Sequence, residues 1–263
     1  MPQRLRFAVL LACLLGLAVA SASLSAQGQG QGRGNAGPQL RILTQTFYTP
    51  NTEIFAVYRP YVVGQEGRFS PHLTKIEDHF VAMTDTDAKV TITLSVGGVT
   101  SQPIAATMDR PGAFRAQFTP TKVGTGTITV KVATKDGSEE FVFENITVEP
   151  DMQTALAHQS PNNPDAGAIR YTKEEGWDGG NFATAAVAKV ALQPGRAAVV
   201  AVPLGAIVQD QGQPHIYVQR NPEAFDLRAV KTGASNAQFT EITEGLREGE
   251  RIVVKGAGQM PRK

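Results

Sequence analysis

Cysteine is almost absent. Cys13 is the single cysteine in 263 residues, which excludes an intramolecular disulfide and any zinc site built on several thiolates. Histidine is scarce as well: His72, His79, His158 and His215 are the whole set, little material for a metal cage. Charge of one sign is missing, with 25 Lys+Arg against 24 Asp+Glu and a formal net charge of +1. A dedicated nucleic-acid binder needs a basic face, so that class is set aside. No Gly-x-Ser-x-Gly elbow or phosphate loop occurs, and Gly176, Gly179 and Gly180 lack the order of a dinucleotide fingerprint. Ser160 lies near His158, but in a turn-rich stretch with nothing to orient a base. The expectation is a protein that is not an enzyme and carries no cofactor.

What remains is globular material. Apolar residues make up 41% of the chain and charged residues 19%, which argues against wholesale disorder. The length suits one large domain or two ordinary ones. Residues 1–22 read as a cleaved secretory signal. Arg4 and Arg6 give the basic start, Phe7 to Ala20 an apolar run short for a bilayer span, and Ala20-Ser21-Ala22 the small residues of a cleavage site. An uncleaved membrane anchor is the alternative. Cleavage would remove Cys13 and leave a chain held together by packing alone. Residues 23–38, with Gln27-Gly28-Gln29-Gly30-Gln31-Gly32, read as a Gly/Gln-rich tether that has nothing to bury.

From 39 to 150 the pattern is β. Ile54, Ala56 and Tyr58 alternate with Phe55, Val57 and Arg59, and Val90, Ile92 and Leu94 share one face. Similar segments run over 113–118, 126–132, 141–143 and 146–148. Gly97-Gly98, Pro111-Gly112, Thr119-Pro120 and Asp136-Gly137 separate them. Short alternating strands at this spacing predict an Ig-like antiparallel β-sandwich. Residues 151–168, with Ser160-Pro-Asn-Asn-Pro-Asp-Ala-Gly167, read as a linker. Residues 169–263 read as a second, smaller β domain, with strands over 187–192, 198–202, 206–208, 215–219, 241–243 and 251–255. Gly212-Gln-Pro214 is the expected hairpin turn, and Thr172-Lys-Glu-Glu175 a capping box opening a short helix. The fold class expected is all-β.

The C-terminal half resembles a known family. Val202-Pro-Leu-Gly-Ala-Ile-Val208, Gly212-Gln-Pro-His-Ile-Tyr-Val-Gln219, Arg228-Ala-Val-Lys-Thr-Gly233 and Gly245-Leu-Arg-Glu-Gly-Glu-Arg-Ile-Val-Val-Lys-Gly256 look like the membrane-proximal last domain of RND-type efflux periplasmic adaptors, the membrane fusion proteins. Ile169-Arg-Tyr-Thr-Lys-Glu-Glu-Gly-Trp177 and Phe182-Ala-Thr184 resemble the opening segment of the heavy-metal, copper and silver, branch. Thr49-Pro-Asn-Thr-Glu-Ile-Phe-Ala56, Phe69-Ser-Pro-His-Leu-Thr74 and Arg110-Pro-Gly-Ala-Phe114 are similar to an extra domain ahead of some adaptors of that branch. The resemblance implies a periplasmic subunit, with peripheral association at the inner membrane. Its expected partners are an RND inner-membrane transporter and a full-length adaptor. A full adaptor also carries a lipoyl domain, a helical hairpin and a barrel. Here only about twenty residues, 183–201, stand in their place, with Leu192-Gln-Pro-Gly-Arg196 as a remnant of the barrel's exit. Direct bridging to an outer-membrane channel is therefore not expected.

Two rival functions follow from other residues. His72, His79 and Asp78, with Glu77, are the candidates for a metal carrier. Spacing alone does not bring three or four ligands together, so the reading adopted is surface histidines near a turn, with no metal site. A stand-alone β interaction module is the other, and an aromatic content of 7% argues against its sugar-binding form. The candidates for partner contact are Trp177, beside Tyr171 and Phe182, and the mixed charges Arg247, Glu248, Glu250 and Arg251. A plug over the end of a β domain is the plainer reading of the aromatic group, and a solvated face that of the charges.

Overall fold

Period-two burial is the rule along this chain. In a computed structural model, which describes residues 39–77, 79–173 and 181–262, the strand Ala88–Val96 buries Ala88, Val90, Ile92, Leu94 and Val96 and turns the residues between them outward. Alternating β-branched and aliphatic residues suit this, because they fit the pleat and set one face against a partner sheet.

The N-terminal part runs β1 (Leu43–Tyr48), β2 (Thr52–Tyr58), β3 (Tyr61–Val62), β4 (Gly67–Ile76), β5 (Phe80–Ala82), β6 (Ala88–Val96), β7 (Val99–Thr100), β8 (Ile104–Ala105), β9 (Thr107–Arg110), β10 (Ala113–Phe118), β11 (Gly124–Thr134) and β12 (Gly137–Glu149). One sheet has the order β1-β2-β4-β10-β9 with β5 on β4; the other has β3-β12-β11-β6-β7 with β8 also on β6. Among the described residues only the short β3–β12 pairing is parallel. The two inner faces meet in a core that includes Ile54, Phe69, Leu73 and Phe114 from the first sheet and Ile92, Ile128, Val130 and Phe143 from the second. Phe47 and Phe69 present edges to Phe143 at 5.0 and 5.1 Å, the arrangement the ring quadrupole favours. This is the all-β sandwich that the alternation predicts.

One detail explains a change of phase in the sequence. Phe141 and Phe143 are buried, but so are Ile146 and Val148, odd positions giving way to even. The two segments form one strand, β12, with an extra residue at Asn145, whose φ is 58°. The ladder to β11 shifts register between Gly126 and Ile128. A β-bulge of this kind turns the next side chains to the other face and restores burial. Opposite it, a Cβ on Gly126 would collide with the Ser95 carbonyl oxygen, so the close backbone approach requires glycine.

The stretch 151–168, read as a linker, carries α1 (Met152–His158), capped by the Asp151 carboxylate on the Thr154 amide at 2.8 Å. Ala155 packs with Leu40 and Val62. Farther on, Arg220 donates to the carbonyls of Pro164 and Ala166 at 2.9 and 3.1 Å, which ties this stretch to the C-terminal part.

That part runs β13 (Ile169–Arg170), β14 (Ala183–Ala186), β15 (Ala188–Val190), β16 (Val199–Pro203), β17 (Ile207–Asp210), β18 (Gln213–Asn221), β19 (Ala224–Ala229), β20 (Lys231–Ser235), β21 (Phe239–Glu244) and β22 (Arg251–Lys255). Its sheets are β13-β19-β18-β22-β14, with β17 on β18, and β15-β16-β21-β20. Val187, Val202, Ile216, Val218, Ile242 and Ile252 share one core. The hairpin turn between β17 and β18 is Gln211-Gly212, with φ of 48° and 78°, and Pro214 lies inside β18 opposite Gln209. Two positive φ values in a two-residue loop match the strand twist. Of the expected capping box, Thr172 is described and Glu175 lies outside the described residues.

Candidate functional site

The outer face of β2 is buried. Period two places Ile54, Ala56 and Tyr58 inward, and Glu53 and Phe55 should then meet solvent. Glu53 is instead 0% exposed and Phe55 1%, because the C-terminal part covers this face. The register sets out the site. Tyr48 stands opposite Glu53, and Glu53 opposite Thr74, so the three form a row across β1, β2 and β4. Next to that row Phe55 stands opposite His72, their rings 5.7 Å apart.

Lys173 comes from the C-terminal part to close the row. Its Nζ donates to Glu53 Oε1 at 2.5 Å and to Thr74 Oγ1 at 2.8 Å, and lies 5.9 Å from the centre of the Phe55 ring. The two charged side chains are 7% and 0% exposed. Burial pushes the Lys173 ammonium below the ordinary lysine value, and the Glu53 carboxylate opposes that shift. One flank of this pair is Tyr48. The Arg251 guanidinium stacks on its ring at 3.6 Å and donates to the Thr184 carbonyl at 3.0 Å. Burial, then the Glu53 charge, raises the Tyr48 phenol above its usual range. The other flank is apolar: Phe80 of β5 packs among Phe182, Tyr171, Phe225 and Tyr217, and its amide donates to the Phe182 carbonyl at 3.0 Å. The seam between the two β parts thus combines a buried ion pair, a stacked guanidinium and an aromatic plug.

His72 stands at the edge of this seam and shares a small hollow with Thr74, Arg110, Gly112 and Lys173. It is half-buried in the middle of β4, not a surface residue near a turn as the sequence reading had it. Burial, then the charges of Lys173, Arg110 and Arg68, lowers its pKa from 6.5 to about 3. His79 lies in the turn before β5, beyond the Ile76–Phe80 pair, so about 13 Å of strand separates it from His72. Asp78 lies outside the described residues. Among the described residues no group of three or more His, Cys, Asp or Glu is placed to hold a metal ion, and the cations around His72 would repel one.

The expected partner contacts divide. Trp177 lies outside the described residues. Arg247 and Glu248 are exposed, and Glu248 pairs with Lys189 at 2.9 Å. Glu250 is turned to its own loop. It accepts from Arg228 at 2.8 Å and from the Arg247 amide at 2.7 Å. Burial pushes its carboxyl up, but these donors and the two arginine charges outweigh it and hold the group below its usual value. Arg251 faces the sandwich through Tyr48 and so belongs to the seam. Sequence reading missed Glu53, Lys173, Tyr48 and Thr74. The available signal was Glu53, a carboxylate next to Ile54 and two residues from Phe55 on a strand with apolar residues on both faces.

Residues 200–257 match the family described as the CzcB C-terminal circularly permuted SH3-like domain. The match covers β17 to β22 and most of β16, and supports the adaptor-type reading for that part of the chain. No curated protein matches the chain significantly. Among solved structures it is similar to the crystal structure of ZneB from Cupriavidus metallidurans, at 16% identity and a TM-score of 0.21, over 72% of this chain. The chain spans 40% of the length of that protein.

Proposed function

We propose that the protein is a periplasmic, adaptor-like subunit of an RND-type efflux system, and that it acts by protein contact rather than by catalysis. The match of residues 200–257 to the CzcB C-terminal domain carries this reading. The C-terminal part docks on the periplasmic portion of an inner-membrane transporter, and the sandwich, held to it at the seam, offers a second surface. The strand β20 suits such contact. It is exposed along its length and, among the described residues, pairs with β21 on one side only, which leaves backbone donors and acceptors for an added strand.

Between β14 and β16 the described residues carry only the short strand β15, which supports a reading without a helical hairpin. On this reading a full-length adaptor in the same assembly supplies the bridge to an outer-membrane channel. Heavy-metal export is the transport class the resemblance favours, and the first 22 residues direct the chain across the inner membrane. The test is purification of the protein after co-expression with an RND transporter from the same organism. Retention of the transporter is the expected result; loss of co-purification counts against the proposal.

A further inference from the structure

We propose that the Glu53–Lys173 pair is an electrostatic lock that fixes the two β parts in one orientation, whatever partner the protein meets. Each part has a core of its own, one around Ile92 and Phe143 and the other around Val202 and Ile252, so each has the means to stay folded while the seam opens. Apolar contact at Phe80 and Phe182 gives adhesion but little directional preference. The ion pair is different. Glu53 is fixed in a sheet between Tyr48 and Thr74, and Lys173 reaches both Glu53 and Thr74. A shifted or rotated arrangement would leave a carboxylate and an ammonium buried apart, which is far costlier than misplacing an apolar side chain.

The charged and titratable groups around the pair define its response. Glu53 is faced by Tyr48 and, across the seam, by Lys173, with Arg251 stacked on Tyr48. Lys173 senses Glu53, Glu223 and Arg110, and His72 stands beside it. With Lys173→Met, the buried Glu53 side chain has lost the cation that satisfied it, so the seam opens to admit water. With Glu53→Leu and Lys173→Met together, neither member of the pair is left buried without its partner and the seam stays closed.

Hydrogen exchange reads this directly, because the Phe80 amide bonds across the seam while the Val130 amide lies in the β6–β11–β12 ladder of the sandwich. Protection factors are measured by NMR on the full chain. In Lys173→Met at pH 7, Phe80 should lose protection by about a hundredfold or more, the size expected when one member of a buried pair is removed, with Val130 much less affected. The double variant, Glu53→Leu with Lys173→Met, should keep the parent's Phe80 protection. Phe80 protection unchanged in Lys173→Met would overturn the proposal. So would a double variant as open as the single one. Loss of the β-sheet spectrum in Lys173→Met would overturn it too, since a lock between folded parts leaves each part standing.

Discussion

His72→Gln should flatten the acid sensitivity of this protein. The imidazole is half-buried against Phe55, and three cations, Lys173, Arg110 and Arg68, oppose its protonation. In the folded chain its pKa is lowered to about 3, against 6.5 when exposed. As pH falls below 6.5 the unfolded chain takes up a proton that the folded chain refuses. Stability is therefore complete above 6.5 and declines as pH drops toward 3. Each pH unit in that window costs up to about 1.4 kcal/mol, so the fall from 6.5 to 5 removes up to about 2 kcal/mol. The carboxylates held low, Asp87 by the Thr84 amide, Asp151 by the Thr154 amide and Glu250 by Arg228, lose their share only at more acid pH, so the interval from 7 to 5 isolates the histidine. Urea unfolding at pH 7, 6 and 5, followed by far-UV circular dichroism, gives the slope. The parent should lose about 2 kcal/mol across the interval and His72→Gln well under half of that. Equal slopes in the two proteins would refute the argument that cations and burial keep His72 neutral.

Three further outcomes follow from the packing. Gly126→Ala should destabilise the sandwich by about 3 kcal/mol or more in urea titration, because the added methyl meets the Ser95 carbonyl, backbone that cannot swing away. Arg251→Lys keeps the charge but loses the planar stack on Tyr48 and the donation to Thr184, and should cost about 1–2 kcal/mol in the same titration. Glu248→Gln breaks an ion pair in which both side chains are 54% exposed and should change stability by less than about 0.5 kcal/mol; a larger loss would mean that this loop is packed more tightly than its exposure indicates.

The strands that alternate cleanly were legible in the sequence. β6 and β10 follow Val90-Thr-Ile-Thr-Leu94 and Ala113-Phe-Arg-Ala-Gln-Phe118 because side-chain pattern and burial coincide there. β4 was not legible. Pro71 sits in its middle, and proline argues against a central strand. The ladder to β10 accommodates it by skipping from the Ala113–His72 pair to the Ala116–Phe69 pair. β12 looked like two strands because one residue, Asn145, changed the phase. The helix α1 was overlooked because prolines and asparagines farther along drew the whole stretch into a linker, although Asp151 stood ready as its cap. The seam was beyond local pattern altogether. Glu53 and Lys173 are 120 positions apart, and nothing in the alternation of either segment says that a lysine from one will close on a carboxylate from the other.

That seam also redistributes the surfaces available to a partner. The sequence put Arg247, Glu248, Glu250 and Arg251 together as one charged face of the C-terminal part. The structure divides them: Arg251 turns to the sandwich through Tyr48, Glu250 is satisfied by Arg228 and the Arg247 amide, and Arg247 and Glu248 point to solvent. A group already stacked and hydrogen-bonded inside the molecule has little left to offer outside it, because a partner would first have to break those contacts. The side of β22 that bears Arg251 is thus occupied by the protein's own N-terminal part. Under the function proposed above, the exposed strand β20 and the Arg247–Glu248 turn are the surfaces we assign to partner recognition by the C-terminal part. Substitutions there should weaken partner binding without loosening the fold, whereas Arg251 substitutions should weaken binding only in proportion to how far they loosen the seam. Measuring co-purification alongside Phe80 protection for the same variants separates the two effects.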